Sequence, residues 1–344
     1  MEQYDPNDVG LKNGHIFSLP HTYESAEIIL LPVPWDATVS YNDGTSNGPE
    51  AILEASSQLD FYHPSGAKIW EYGVHMLPVN DYWKRTNRKT RALAKTHIEA
   101  LENESLKIES SPSVHQVNSQ CAALKDWVKE QATAIIDDGK LLGLLGGDHS
   151  CPLGFIEALN DRYPSFGILQ FDAHADLRET YENFTYSHAS IFYNALQFSN
   201  LKNLTQVSIR DVSPNEVALV KQDHRIQTYY DWNIKRALFN GETWDNLCQT
   251  MIKDLPQNVY LSFDIDGLNP SLCPNTGTPV PGGLSFEEAI HLIGAVVQSG
   301  RKIIGFDLCE VGIDKNEKNP SDWDANVGAR VLFNLCTALH NSNH

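Results

Sequence analysis

Six short, almost unbroken apolar runs constrain the fold of this chain more than any other feature. They are EIILLPVP (27–34), KLLGLLGG (140–147), FGILQFD (166–172), LTQVSIRD (204–211), VYLSFDID (259–266) and KIIGFDLCEV (302–311). A strand with one wet face alternates apolar and polar residues. These runs mostly do not, so both faces of the sheet they build must be covered. Helical patterns lie between them. SQCAALKDWVKEQATAIIDDG (119–139) has apolar residues at helical spacing and ends in glycine. SFEEAIHLIGAVVQSG (285–300) opens with a capping-box pair, Ser285 and Glu288. The alternation predicts an α/β fold with a central, mostly parallel sheet. WKRTNRKTRALAK (83–95) predicts the start of a surface helix, and LENESLKIESSPSVHQVNS (101–119) a polar loop. No repeat or linker divides the chain, so a single domain over 1–344 is expected.

Charge and cysteine content narrow the setting. With 44 acidic against 26 basic side chains the formal charge is −18, which argues against nucleic acid and anionic membranes as partners. The basic segment 83–95 lacks the aromatic interleaving of a nucleic-acid face. No apolar run approaches the ~20 residues that span a bilayer, and the polar N-terminus has no signal core. The six cysteines form no C-x-x-C pair, which predicts buried small hydrophobes in a reducing, cytoplasmic setting.

Four of the apolar runs end in acids and histidines. GGDHS brings Asp148 and His149, FDAHADL brings Asp172, His174 and Asp176, SFDID brings Asp264 and Asp266, and FDLCEV brings Asp307 and Glu310. Ligands and catalytic groups gather at the carboxyl ends of strands in open α/β sheets. Taken singly, GGDHS is compatible with a helix cap and D-x-D with a capping turn. DAHAD is harder to explain that way. On an extended segment its three side chains share one face, where like charges repel unless a cation lies between them. His149, Asp172, His174, Asp176, Asp264 and Asp266 together carry four carboxylates, a formal −4 that two divalent cations balance. A carboxylate-rich set with one imidazole per ion suits Mn²⁺, with Ni²⁺, Co²⁺ or Zn²⁺ as other occupants. Two such ions about 3.5–4 Å apart ionise a water near neutral pH.

GGDHS, DAHAD and SFDIDGLNPSLCPNTGTPVPGG resemble the three signatures of the ureohydrolases, the arginase and agmatinase family. The resemblance runs from LPVPWDATVSYNDGTSNGPEAI (31–52) to EVGID (310–314). It implies an arginase-like three-layer α/β/α fold, two Mn²⁺ per chain, and a homo-oligomer, trimeric or hexameric. His149 would bind one ion and His174 the other. Asp172 and Asp264 would bridge them. Asp176 would ligate the first ion and accept a hydrogen bond from the attacking water, and Asp266 would ligate the second. Glu310 would hold the substrate guanidinium, Thr278 would line the cleft, and His188 would shuttle protons or act as general acid. The reaction implied is hydrolysis of a small guanidino compound to urea and an amine.

The substrate tail is less constrained. Arginases carry an asparagine where this chain has Arg178, and an aspartate in RDVDP where it has Ser213 in RDVSP. Both departures weaken an arginase reading. Arg178 either pairs with Glu179, Glu182 or another acid, or recognises a substrate carboxylate. Agmatine, whose tail is an amine, is the first expectation. Arginine, guanidinobutyrate, guanidinopropionate and formiminoglutamate are the alternatives. A single-zinc deacetylase would need a paired-histidine motif that is missing here. A non-catalytic relative would be expected to have lost ligands. Asn269 replaces an aspartate common in the family's DGLDP turn and is expected to act there as a turn residue or as a support for the metal ligands.

Overall fold

The computed structural model describes residues 5–103, 112–316 and 321–344. Eight parallel strands form one sheet: β1 (Ile28–Pro32), β2 (Val74–Met76), β3 (Leu141–Leu145), β4 (Phe166–Phe171), β5 (Leu201–Ile209), β6 (Ile226–Tyr230), β7 (Asn258–Asp264) and β8 (Lys302–Cys309). Their order is β2-β1-β3-β8-β7-β4-β5-β6. All six apolar runs are strands. The two unpredicted strands lie at the edges: β2 is three residues long, and IQTYY of β6 is only half-buried beyond Ile226, so neither carries a long apolar run.

Helices cover both faces: α1 (Gly48–Ala55), α2 (Ile69–Tyr72), α3 (Asp81–Glu102), α4 (Pro112–Asp137), α5 (Leu153–Arg162), α6 (Ile191–Ala195), α7 (Pro214–Gln222), α8 (Asp231–Phe239), α9 (Trp244–Ile252), α10 (Phe286–Gln298) and α11 (Trp323–Asn341). Successive strand residues point to opposite faces and so belong to different cores. Ile29, Leu31, Leu142 and Leu144 pack with α3, α4, α5 and α6. Ile28, Leu30, Leu261 and Phe306 pack with α1, α9, α10 and α11. The result is the expected three-layer α/β/α architecture. Ser285 and Glu288 cap α10 reciprocally, at 2.8 and 3.1 Å. Among the described residues no helix is long and apolar enough to cross a membrane.

Two expectations need correction. The segment 101–119 is not a loop throughout: α3 runs to Glu102 and α4 starts at Pro112, while 104–111 lie outside the described residues. Val114 and Val117 continue the buried stripe of Cys121, Leu124 and Val128, and the polar residues between them form the wet side of one helix. The basic segment is also more than a surface helix. Trp83, Asn87, Thr90 and Ala94 form its buried stripe. Asn87 donates to Asp36 Oδ1 at 2.7 Å and accepts from the Asp36 N–H at 2.9 Å. Asp36 in turn accepts the N–H groups of Gly44 and Ser46. Helix α3 thereby anchors the 36–46 loop beside the site described next.

Candidate metal centre and substrate cleft

The four acid-bearing runs are the four central neighbours β3, β8, β7 and β4. The chain passes from β3 to β4 across the places that β7 and β8 fill later, which leaves a crevice at the strand ends. Close backbone approach shapes its floor. A Cβ on Gly147 would lie 1.9 Å from the Trp35 carbonyl oxygen, and one on Gly267 would lie 2.6 Å from the Asp172 nitrogen. Side chains at these positions would push the loops apart.

DAHAD converges differently from the expectation of a strand face. β4 ends at Phe171, so the motif lies in the loop beyond it. Asp172 turns the chain by accepting the His174 N–H at 2.6 Å, and Asp176 adopts φ 53°. Glu310 adopts φ 61°. Left-handed conformations at non-glycine residues carry strain, and here two acids of the site share it.

The side chains form two clusters, each with ligand atoms within 4.8 Å of one another: His149, Asp172 and Asp176, and then Asp172, His174 and Asp266. Asp172 belongs to both. His149 Nδ1 lies 2.9 Å from Asp172 Oδ2, 3.0 Å from Asp176 Oδ2 and 3.4 Å from Asp264 Oδ2. His174 Nδ1 lies 3.1 Å from Asp266 Oδ2 and 3.5 Å from Asp172 Oδ1.

A second layer of side chains orients these groups. His149 Nε2 lies 2.9 Å from Ser262 Oγ, which donates to Asp307 Oδ2 at 2.7 Å. With the serine proton given to Asp307, Nε2–H is the donor and Nδ1 carries the lone pair. That Nδ1 is buried without a properly aligned hydrogen bond, as befits an atom aimed at a cation. Gln170 holds Asp172 Oδ2 at 2.8 Å and is itself held by Gln206, which accepts from Thr228. Only Asp307 of this layer is conspicuous in the sequence. Ser262, Gln170 and Gln206 are single polar residues inside apolar runs, a weak signal that could have flagged them.

The electrostatics fit such a centre. Burial, then the carboxylates of Asp266, Asp172 and Glu310, raise the Asp264 pKa well above the usual range. Burial and Asp172 push Asp176 up to about 7. Burial and the acids Asp148 and Asp266 raise Glu310. Burial opposes charge on His149, but the adjacent carboxylates of Asp172 and Asp176 outweigh it and raise its pKa. Carboxylates and imidazoles this close must share protons or cations.

A cleft of about 270 Å³ opens beside the clusters, lined among others by Tyr41, His174, Asp176, Arg178, His188 and Thr278. Burial and the neighbouring His174 and Arg91 push His188 down to about 3, so its imidazole is neutral at pH 7. Glu310 lies deeper. Its Oε1 accepts the His149 N–H at 3.1 Å, while its Oε2 is buried without a hydrogen-bond partner.

Of Arg178, Ser213 and Asn269, only Ser213 is placed away from its expected role. Arg178 does pair with an acid, and that acid is Glu216 in place of Glu179 or Glu182. Arg178 lies over the Tyr181 ring at 4.7 Å, with Nε 3.8 Å from Glu216 Oε2. Ser213 caps α7 and exchanges hydrogen bonds with Glu216, and it does not line the cleft. Asn269 does serve a turn, accepting from Ser271 and donating to the Gly282 carbonyl oxygen. The acids on the outer cleft wall are Asp211 and Glu216, which the sequence did not single out. Among the described residues no ion pair engages Asp211.

Glu182 is not among the residues that line this cleft, and burial raises its pKa to about 7. A folded pKa above the unfolded value means stability present below about 4.5 and lost as pH rises through about 7. Glu182→Gln is therefore expected to raise stability by about 1 kcal/mol at pH 8.5, allowing for partial solvent screening. The gain in Tm should vanish toward pH 4.5 in a thermal melt series.

Comparison with known proteins converges on one group. The sequence model of the arginase family matches residues 26–337. An N(1)-aminopropylagmatine ureohydrolase of Thermus thermophilus is 32% identical over 290 residues, covering 84% of each chain. An agmatinase of Halalkalibacterium halodurans is 28% identical over 311 residues, 90% of this chain and 92% of its own. The agmatine ureohydrolase structure of Thermoplasma volcanium superposes with TM-score 0.71 at 23% identity over 96% of each chain, a likeness of fold. These matches span the sheet and all four strand ends that carry the clustered acids. The chain belongs to the arginase family, as an agmatinase-like ureohydrolase that cleaves a guanidino compound to urea and an amine.

Proposed function

We propose that the substrate is a linear guanidine with a cationic amine tail, agmatine or an aminopropyl-extended agmatine, and that the centre holds two Mn²⁺ ions. The observation that carries the reading is Asp172 shared by two clusters of candidate ligands, beside a cleft whose wall includes the carboxylate of Asp211, which no ion pair among the described residues engages. The residues fit the ions: both clusters offer one imidazole and carboxylate oxygens, and all six cysteines are buried elsewhere. His149, Asp172, Asp176 and Asp264 would hold the first ion. Asp172, Asp264, His174 and Asp266 would hold the second. Such ions, when bound, act as Lewis acids and supply a nucleophilic water at neutral pH.

The chain's own groups do the rest. Glu310 Oε2, buried and unpartnered, takes one N–H edge of the guanidinium and orients its carbon. Water adds to that carbon and the C–N bond to the amine breaks. His188, a neutral imidazole on the cleft wall, relays the proton that the departing amine takes up. Thr278 lines the same wall. Arg178 is held by Tyr181 and Glu216, which favours an amine tail at Asp211 over a carboxylate tail at Arg178. The working form in this proposal is a cytoplasmic homo-oligomer, trimer or hexamer.

Asp211→Asn tests the tail assignment. Loss of one charge-assisted contact of about 1.5 kcal/mol should raise KM for agmatine roughly tenfold, with kcat within a few-fold. An unchanged KM would remove Asp211 from the substrate site.

A further inference from the structure

A second group of metal-ligating side chains lies at the opposite end of the sheet from the catalytic cleft. Glu27 immediately precedes β1, and its carbonyl oxygen accepts the N–H of Leu141 at the start of β3. His340 is in the last turn of α11, and His344 follows four residues later, just past its end. His340 Nδ1 lies 2.8 Å and His344 Nε2 3.1 Å from the same oxygen, Glu27 Oε1. One donor atom from each of the three residues lies within 4.8 Å of the others.

We propose that Glu27, His340 and His344 form a separate site for one divalent transition-metal ion, best suited to Zn²⁺. Two imidazoles and a carboxylate are a known zinc donor set, with bonds of about 2.0–2.2 Å that place donors roughly 3.3 Å apart. Two ring nitrogens already converge on one oxygen at nearly that spacing. One cation replaces the two hydrogen-bond protons that now join them, and the fourth position falls to water. His340 is set for this role. The Tyr72 ring stacks on it at 3.9 Å and 11°, which fixes its plane and aims Nδ1 at Glu27. Access is open, since the His344 side chain is 58% exposed. The ion would tie the end of α11 to the entry of β1, joining two segments more than three hundred residues apart in sequence.

The test uses the full chain loaded with Mn²⁺, titrated with Zn²⁺ and dialysed, with bound zinc counted by mass spectrometry. His344→Ala and Glu27→Gln are treated alongside. His344 lies beyond the last helical turn, so its variant folds without penalty. Each variant is expected to bind about one zinc fewer than the parent and to release urea at the parental rate. Zinc that exchanges into the catalytic centre does so equally in all three proteins, so the difference is the readout. Equal zinc counts in parent and variants would overturn the site. A zinc-soaked crystal gives the second measurement: an anomalous peak between the three side chains is expected, and peaks confined to the catalytic centre would overturn the proposal.

Discussion

Asp172→Asn is expected to release both metal equivalents and to lower urea production by at least about 10³-fold. Asp172 faces His149 through Oδ2 and His174 through Oδ1, and it belongs to both clusters of candidate ligands. An asparagine keeps the shape and can still accept the His174 N–H, but it removes a charge and presents an NH₂ group to one of the two clusters. His174→Ala, which touches only the second cluster, should release one equivalent and keep the other. Metal counting beside urea assays distinguishes the two variants, and circular dichroism checks that both fold. Retention of two ions by Asp172→Asn would mean that the ligand set is wrong.

Glu310→Gln should keep both ions and still lose roughly 10²- to 10³-fold in kcat/KM. The glutamine retains an oxygen for the His149 N–H, so the loop after β3 stays in place. It loses the charge on a buried carboxylate whose second oxygen has no hydrogen-bond partner among the described residues. Removing one partner of a buried charged pairing costs about 2–5 kcal/mol, which corresponds to the range stated. The effect should be confined to guanidinium recognition, with metal content at the parental value. A variant with normal kcat/KM would place the guanidinium elsewhere.

Much of this was legible in the sequence because two signals are local. Continuous apolar runs mark strands buried on both faces, and β1, β3, β4, β5, β7 and β8 have them. Acids and histidines where such a run stops mark a strand end, and four strand ends did so together. What was not legible depends on contacts distant in sequence. Gln170 meets Gln206, and Ser262 meets Asp307, across strands whose neighbours only the sheet order defines. The outer cleft wall depends on where α7 starts. Its cap engages Ser213, and the same helix brings Glu216 to Arg178. Even DAHAD, the most conspicuous motif, converges through a turn and a left-handed Asp176 where alternation along a strand was expected. Polar residues on a buried helix stripe misled in the same way. Asn87 and Thr90 interrupt the apolar period of α3 because they face the 36–46 loop and the protein interior.

Urea release by the Mn²⁺-loaded protein, measured against agmatine, N1-aminopropylagmatine, arginine and guanidinobutyrate with metal counted in the same sample, tests the central claim most directly. Two ions per chain are expected, with a kcat/KM for an amine-tailed guanidine at least about tenfold above either carboxylate-bearing compound. Preference for arginine or guanidinobutyrate would contradict the assignment of Asp211 and return Arg178 to the substrate. Urea from none of the four, with two ions bound, would contradict the proposed substrate class altogether.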